Sequence, residues 1–385
     1  MSQIYKGIHA ALILSLVVAL YPWLKNLKKS KGKQAKAECL ADLIGNTPLL
    51  KIRSLSEATG CEIYAKMELC NPGGSAKDRV ALAIIKDFED RNLIKPNRGD
   101  VIFEGTSGST GISIAMLCKS LGYTAHICLP DDTSDEKVNL LRMYGAVIEK
   151  VKPASIVDPN QYVNAAKTGA DRIASDSSSD NNAVFADQFE NECNWKVHYE
   201  TTAKEIWEQT GGKLNFFVSG AGTGGTIAGC SIYFKQKNAT IKTILADPQG
   251  SGLYNRVQYG IMYDTVEKEG TRRRHQVDTL VEGIGLNRIT KNFSRGEMYI
   301  DAAEKVSDKQ ALLMARYLNE NEGLFLGSSS CVNAVASAKI AFTKAKKGDT
   351  IVFVACDSGS RHLSKFWKEA LKFDAPSDLR GILNT

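Results

Sequence analysis

Short apolar, β-rich runs alternate with segments of helical period over most of the chain from about Ala41 onward. Residues 63–67, 101–103, 125–129, 147–151, 216–219, 241–246 and 351–355 carry the strand pattern. Residues 80–91, 112–121, 135–144, 199–209, 226–237 and 309–319 carry the helical one. Alternation of this kind predicts parallel α/β layers with helices on both sheet faces. Residues 175–182 (S-D-S-S-S-D-N-N) are too polar to pack and read as a surface loop. No internal repeat of solenoid type is present.

Ahead of this alternation, residues 8–24 are almost wholly apolar, broken only by His9, Ser15 and the Tyr21-Pro22-Trp23 end. As a helix this run is about 26 Å long, enough for a thin bilayer. Only Lys6 precedes it, while Lys25, Lys28, Lys29, Lys31, Lys33 and Lys36 follow. A cleaved signal peptide has the opposite order. The basic flank would stay cytoplasmic, so one N-terminal transmembrane helix with the catalytic part in the cytosol is expected. A matrix presequence fits poorly, because no arginine occurs before Arg53. The pattern resembles signal-anchors of the mitochondrial outer membrane, with the endoplasmic reticulum as the alternative. A buried core helix would show a polar face, which this run lacks.

Charge sharpens the division. The 385 residues carry a net charge of +6, yet residues 1–37 hold seven lysines and no acid. The remainder has 42 basic and 43 acidic residues, so the folded part gives a nucleic-acid partner no electrostatic footing. With 43% hydrophobic residues the chain has enough apolar content for a packed core, which excludes a disordered chain. Nine cysteines are scattered without a C-x-x-C pair, and five histidines form no H-E-x-x-H set. Reduced, mostly buried thiols and no metal site are expected. The basic run Thr271-Arg272-Arg273-Arg274-His275 reads as a solvated loop.

Four segments at strand–helix junctions carry candidate chemistry. In Asn71-Pro72-Gly73-Gly74-Ser75-Ala76-Lys77-Asp78-Arg79 a lysine emerges from a glycine-rich turn at a helix start. Helix N-terminal amides disfavour an ammonium, so its pKa should fall, which suits imine chemistry or proton abstraction. Gly105-Thr106-Ser107-Gly108-Ser109-Thr110-Gly111 offers amides, hydroxyls and a helix dipole to an anion such as a carboxylate. Gly220-Ala221-Gly222-Thr223-Gly224-Gly225-Thr226 is a backbone cradle for phosphate. With Asp247 beyond it, it also satisfies the G-x-G-x-x-G dinucleotide pattern, so an NAD-dependent oxidoreductase competes on this motif alone. Asp357-Ser358-Gly359-Ser360-Arg361 places a serine at a strand's carboxyl end, where open α/β sheets bind ligands.

Together with Ile44-Gly45-Asn46-Thr47-Pro48-Leu49 upstream, these motifs resemble fold-type II pyridoxal-phosphate enzymes, in the cysteine synthase and cystathionine β-synthase branch. The resemblance runs from about Ala41 to Phe373, with the motifs in the family's order. It implies a two-lobed, tryptophan synthase β-like fold. Residues 38–80 and 186–385 would form the larger cofactor-binding lobe, residues 81–185 the smaller one, and residues 1–37 the anchor and linker. Lys77 would form the internal aldimine and act as the base at the substrate Cα. Gly222, Thr223, Gly224, Gly225 and Thr226 would hold the cofactor phosphate. Ser109 would lie by the cofactor's 3′-oxygen, and Ser358 would face the pyridine nitrogen. Thr106, Ser107, Thr110 and Gln188 would bind the substrate carboxylate. A serine rather than an aspartate at the ring nitrogen implies a weaker electron sink, hence β-elimination to an aminoacrylate and addition of a nucleophile.

The implied reaction makes L-cysteine from O-acetyl-L-serine, or a similar β-substituted serine, and sulfide, in a homodimer. Val281-Glu282-Gly283-Ile284-Gly285 looks as much like the cystathionine β-synthase branch, so that activity, or cysteine-consuming sulfide release, is the alternative. A membrane-tethered scaffold without catalysis is a further reading, which the retained Lys77 opposes. Three departures from the family pattern stand out. Ser109 replaces the usual asparagine and shortens that contact. Cys331 replaces a glycine and would crowd the ring or add a redox-sensitive thiol. Gly105 replaces a common proline and would loosen closure of the substrate loop.

Overall fold

Two largely parallel sheets carry the structure, a computed structural model that describes residues 36–176, 178, 180–264 and 279–385. Residues 8–24 and the basic run at 271–275 lie outside the described residues. Among those described, no helix is long and apolar enough to cross a membrane. Residues 43–385 form one compact unit, and the residues before them belong to a separate N-terminal one.

The larger sheet has the order β1-β2-β10-β7-β8-β9. Its strands are β1 (Leu49–Lys51), β2 (Glu62–Met67), β7 (Phe216–Ser219), β8 (Lys242–Pro248), β9 (Ala302–Val306) and β10 (Thr350–Ala355). All pairs are parallel except β1 with β2. The second sheet, in order β5-β4-β3-β6, is wholly parallel. It contains β3 (Val101–Gly105), β4 (Thr124–Pro130), β5 (Val147–Val151) and β6 (Ala183–Phe185). The central strands of the larger sheet are apolar on both faces because helices cover both; all four residues of β7 are buried, as are five of six in β10.

The helices that matter for the site begin where strands end. They are α1 (Lys77–Asp90), α2 (Ser109–Leu121), α3 (Asp135–Met143), α4 (Tyr162–Ala174), α5 (Gly225–Lys237), α6 (Asp308–Glu322) and α7 (Ser328–Thr343). Helix α6 is set by a capping box, with Ser307 and Gln310 satisfying each other's backbone amides, and it stops at Gly323 in the left-handed region (φ 65°). Helix α7 is small-residue-rich, with Ser, Ala, Val, Cys and Asn over its first eleven positions, and nearly all of it is buried. Its small side chains let it lie close under the larger sheet, in the same core as Ile63, Val218 and Phe353. The parallel strands and alternating helices expected from the periodicity are present, and three strands the pattern does not reveal, β1, β6 and β9, are all sheet edges.

Candidate active site

Lys77 stands at the head of α1, on a turn pinned to the end of β10. The Ala76 amide donates to the Cys356 carbonyl at 3.1 Å, and Ser75 pairs with Asp357 as an isolated bridge. Asp78 closes the turn: its Oδ2 accepts the Gly73 amide at 2.6 Å, while its Oδ1 accepts the Ser113 hydroxyl of α2 at 2.5 Å. A Cβ on Gly73 would fall 2.4 Å from that carboxylate, so only glycine fits. One buried side chain therefore fixes both the lysine turn and the helix of the hydroxyl-rich loop. Among the described residues, the Lys77 amine has no hydrogen bond. Burial lowers its pKa from the ordinary lysine value, opposed by the charges of Cys356, Asp357 and Glu68.

Behind this turn lies a buried ionic clasp. Arg79 donates to both Glu68 oxygens at 2.8 Å and to Glu205 at 2.6 Å. Lys66 reaches Glu205 at 2.6 Å and the Thr47 carbonyl at 2.7 Å. The same carboxylates take up the upstream turn, through Thr47 Oγ1 to Glu68 at 2.6 Å and the Asn46 amide to Glu205 at 3.0 Å. Burial would raise the Glu205 pKa, but Arg79 and Lys66 hold it down to about 2. The Gly45–Leu49 motif thus backs the turn that bears Lys77.

The glycine cup follows β7. Gly224 has φ 86°, and a Cβ there would sit 2.5 Å from that of Phe293; at Gly225 it would lie 2.0 Å from Asn194 Oδ1. Among the described residues, the amides of Gly222, Thr223 and Gly224 donate to no protein group, and they precede the N-terminus of α5. A free cradle of this kind fits an ester phosphate. Thr223 Oγ1 accepts from Asn194 at 2.8 Å, and its carbonyl accepts from Thr290 at 2.7 Å. Thr226 Oγ1 bonds His198 Nε2 at 3.1 Å. Burial pushes the His198 pKa down to about 3, with Arg79 and Lys77 adding to the effect, so the imidazole is neutral. Asn194, Thr290 and His198 have no motif of their own and are legible only once folded.

The substrate-type loop leaves β3 opposite. Thr106 and Thr110 are buried, Ser107 and Ser109 half-buried, and Thr110 Oγ1 donates to Gln188 Oε1 at 2.5 Å. Gln188 and the cup share a scaffold, since Asn194 Nδ2 also donates to the Gln188 carbonyl at 2.7 Å. Ser109 Oγ accepts from Arg361 Nη1 at 3.0 Å, which links this loop to the segment after β10. Ser358 sits half-buried at the end of β10, paired with Leu326 and accepting the Ser360 amide at 3.3 Å.

Two expectations about departures change. Gly105 is not slack: a Cβ there would lie 2.4 Å from the Val163 Cα, so its absence lets the start of α4 pack against β3. Cys331 is fully buried in the large core, and burial raises its thiol pKa, so it is no accessible redox thiol. Where a metal site was not expected, His126 Nε2, Cys128 Sγ and Glu149 lie within 4.8 Å of one another on β4 and β5. These groups already bond each other, His126 to Glu149 at 3.1 Å and Cys128 to Glu149 at 3.6 Å.

Residues 40–357 match the family described as pyridoxal-phosphate dependent enzyme. The chain belongs to that family. It is 58% identical over 97% of its length to "Putative mitochondrial cysteine synthase" of Saccharomyces cerevisiae, covering 95% of that protein. It is 53% identical over 92% of its length to cysteine synthase 2 of Emericella nidulans, covering 85% of it. Its fold is similar to the crystal structure of O-ureido-L-serine synthase, with a TM-score of 0.73 and 29% identity over 91% of this chain and 100% of that one. Membership in the family makes pyridoxal phosphate the cofactor and removes the dinucleotide reading of the glycine cup. Asp247, the acid that reading needed, is buried and paired with Lys305 at 3.2 Å and the Tyr254 amide at 2.8 Å.

Proposed function

We propose that the protein is a cysteine synthase that replaces the acyloxy group of O-acetyl-L-serine, or a similar β-substituted serine, with sulfide. The C–O bond at the β-carbon breaks, a C–S bond forms, and the carboxylate leaves. The observation that carries the reading is a half-buried lysine whose amine has no hydrogen-bond partner among the described residues, its pKa lowered, on a turn tied to β10 and to the hydroxyl-rich loop. The cysteine synthases among its relatives support it.

When bound, pyridoxal phosphate supplies the aldehyde for covalent attachment and the ring that accepts electrons. Lys77 Nζ is the group to join it, and later to take the proton from the substrate Cα. The amides of residues 222–226 hold the phosphate, with Thr226 Oγ1 oriented by neutral His198. Thr106, Ser107 and Thr110, with Gln188, hold the substrate carboxylate. Ser109 is shorter than the family's asparagine and is held by Arg361, so it would offer the cofactor a weaker contact. Ser358 would offer the ring nitrogen a neutral hydroxyl, which would favour loss of the β-substituent over transamination.

Lys77→Ala removes both the covalent link and the base, and is expected to lower cysteine formation from O-acetylserine and sulfide by several powers of ten. Near-normal turnover by that variant would reject the assignment. We further propose a homodimer, and a division into a larger lobe (38–80 and 186–385) and a smaller lobe (81–185) that closes on the substrate. For residues 1–37 we propose an anchor through residues 8–24 in the mitochondrial outer membrane, with the endoplasmic reticulum as alternative. Support comes from the charge order around the apolar run and from the mitochondrial label of the yeast relative.

A further inference from the structure

The Val281-Glu282-Gly283-Ile284-Gly285 segment has no part in the steps above, yet it ties the glycine cup to α3, the head of α7 and the segment after β10. Its Gly285 amide donates to the Ala221 carbonyl of the cup at 2.9 Å, and its Glu282 amide donates to Ser328 Oγ at the head of α7 at 3.0 Å. Glu282 Oε2 accepts from Lys137 Nζ of α3 at 2.8 Å and lies 3.3 Å from His362 Nδ1. His362 Nε2 is 3.0 Å from Asp357 Oδ2. Asp357 is bridged to Ser75, two residues before Lys77, and its charge bears on the Lys77 amine. Charges therefore alternate from Lys137 through Glu282 and His362 to Asp357, whose charge in turn bears on the Lys77 amine. The line begins on the helix between β4 and β5 of the smaller sheet and ends at the reactive amine.

The middle member is the informative one. The His362 side chain is 4% exposed and lies between two carboxylates. Its contact with Glu282 is an ion-pair approach without hydrogen-bond alignment, whereas that with Asp357 is a hydrogen bond, so the Glu282 contact is the looser of the two. The groups facing His362 are Glu282 and Asp357, with Lys137 beyond the first and Lys77, Cys356 and Cys331 beyond the second. Among the described residues, the head of α7 presents Gly327 and Ser328 there, and the neighbouring Arg361 is turned to Ser109.

We propose that His362 is a positioning residue for Lys77, passing the state of the Lys137–Glu282 tie to the Asp357 carboxylate. This rests on reading Lys77 as the cofactor lysine. Burial would lower the imidazole pKa, but Asp357 and Glu282 hold it up at about 9, so the ring is a cation at neutral pH. That cation offsets Asp357, which would otherwise favour the ammonium form of Lys77. With Lys137 in place, Glu282 is shared and His362 stays on Asp357. Without Lys137, Glu282 draws His362 away, and Asp357 turns its charge on the lysine. Loss of either residue thus shifts Lys77 the same way, toward the ammonium, and loss of both adds nothing beyond loss of His362.

The test uses the full-length chain in its cofactor-free form. The pH dependence of Lys77 acylation by an amine-reactive reagent is followed by peptide mass spectrometry. His362→Gln is expected to slow labelling at neutral pH by at least about threefold, equivalent to about half a pKa unit. Lys137→Met should slow it less, and the double variant should match His362→Gln alone. NMR titration of the imidazole should give a midpoint near 9 in the parent chain. Unchanged labelling in His362→Gln, additive effects in the double variant, or an ordinary imidazole midpoint would overturn the proposal. Should His362→Gln fail to fold, Lys137→Met decides alone, and unchanged labelling there overturns it. Borohydride reduction of the holoenzyme separates the two readings. A cofactor trapped elsewhere than Lys77 defeats the functional assignment, whereas trapping at Lys77 with unchanged labelling defeats only the role of His362.

Discussion

A single methyl group at position 222 tests how the phosphate cup is built. A Cβ on Gly222 would lie 2.1 Å from the Gly283 carbonyl oxygen, so the cup and the strap formed by residues 281–285 must separate by about 1 Å in a densely packed region. Overpacking of this size costs about 1–3 kcal/mol. If the cofactor-free cup relaxes and the bound cup cannot, the cost appears in the binding equilibrium. Gly222→Ala should then weaken pyridoxal phosphate binding by about 5- to 150-fold. Absorbance titration of the stripped protein measures this, and thermal unfolding without cofactor checks that the fold survives. Binding within twofold of the parent, with an unchanged midpoint, would show that the strap does not brace the cup.

Three further outcomes are expected. Arg79→Met leaves Glu68 buried without its cation and should destabilise the chain by about 3–5 kcal/mol in urea unfolding, far more than a surface arginine would. Glu104, at the end of β3, has its pKa raised to about 8 by burial and by Asp187, and its Oε2 is unbonded. Its folded-state pKa lies above the unfolded value, so stability present below about pH 4 is lost as pH rises towards 8. Glu104→Gln should remove that loss and overtake the parent in stability at pH 8 but not at pH 5, a crossover that thermal unfolding would register. Deleting residues 1–37 should give a soluble, active protein in cell fractionation; persistent membrane association would place the anchor elsewhere.

Much of this molecule can be read before it folds, and what cannot has a physical reason. The central strands are legible because burial on both faces demands unbroken apolar runs, as in residues 216–219. Edge strands have one neighbour and tolerate polar residues, so Ala302–Val306, with Glu304 and Lys305, leaves no such run. Helix α7 escapes periodicity analysis because it is buried all round and so has no polar face. At the site, the glycine and hydroxyl loops declare themselves through local backbone needs. His198, Asn194, Thr290, Glu282 and His362 do not, because each acts on a segment distant in sequence. Gly105 and Cys331 show the converse, since their meaning lies in which backbone or core they meet.

The ionic clasp also sets when the protein acquires its reactivity. The clasp behind the turn bearing Lys77 is complete only once Arg79 has met Glu205, 126 residues later in the chain. A nascent polypeptide still short of that glutamate carries an ordinary, solvated amine there. Stray aldehydes in the cell would therefore meet an activated lysine only after its protective surroundings had been synthesised and assembled.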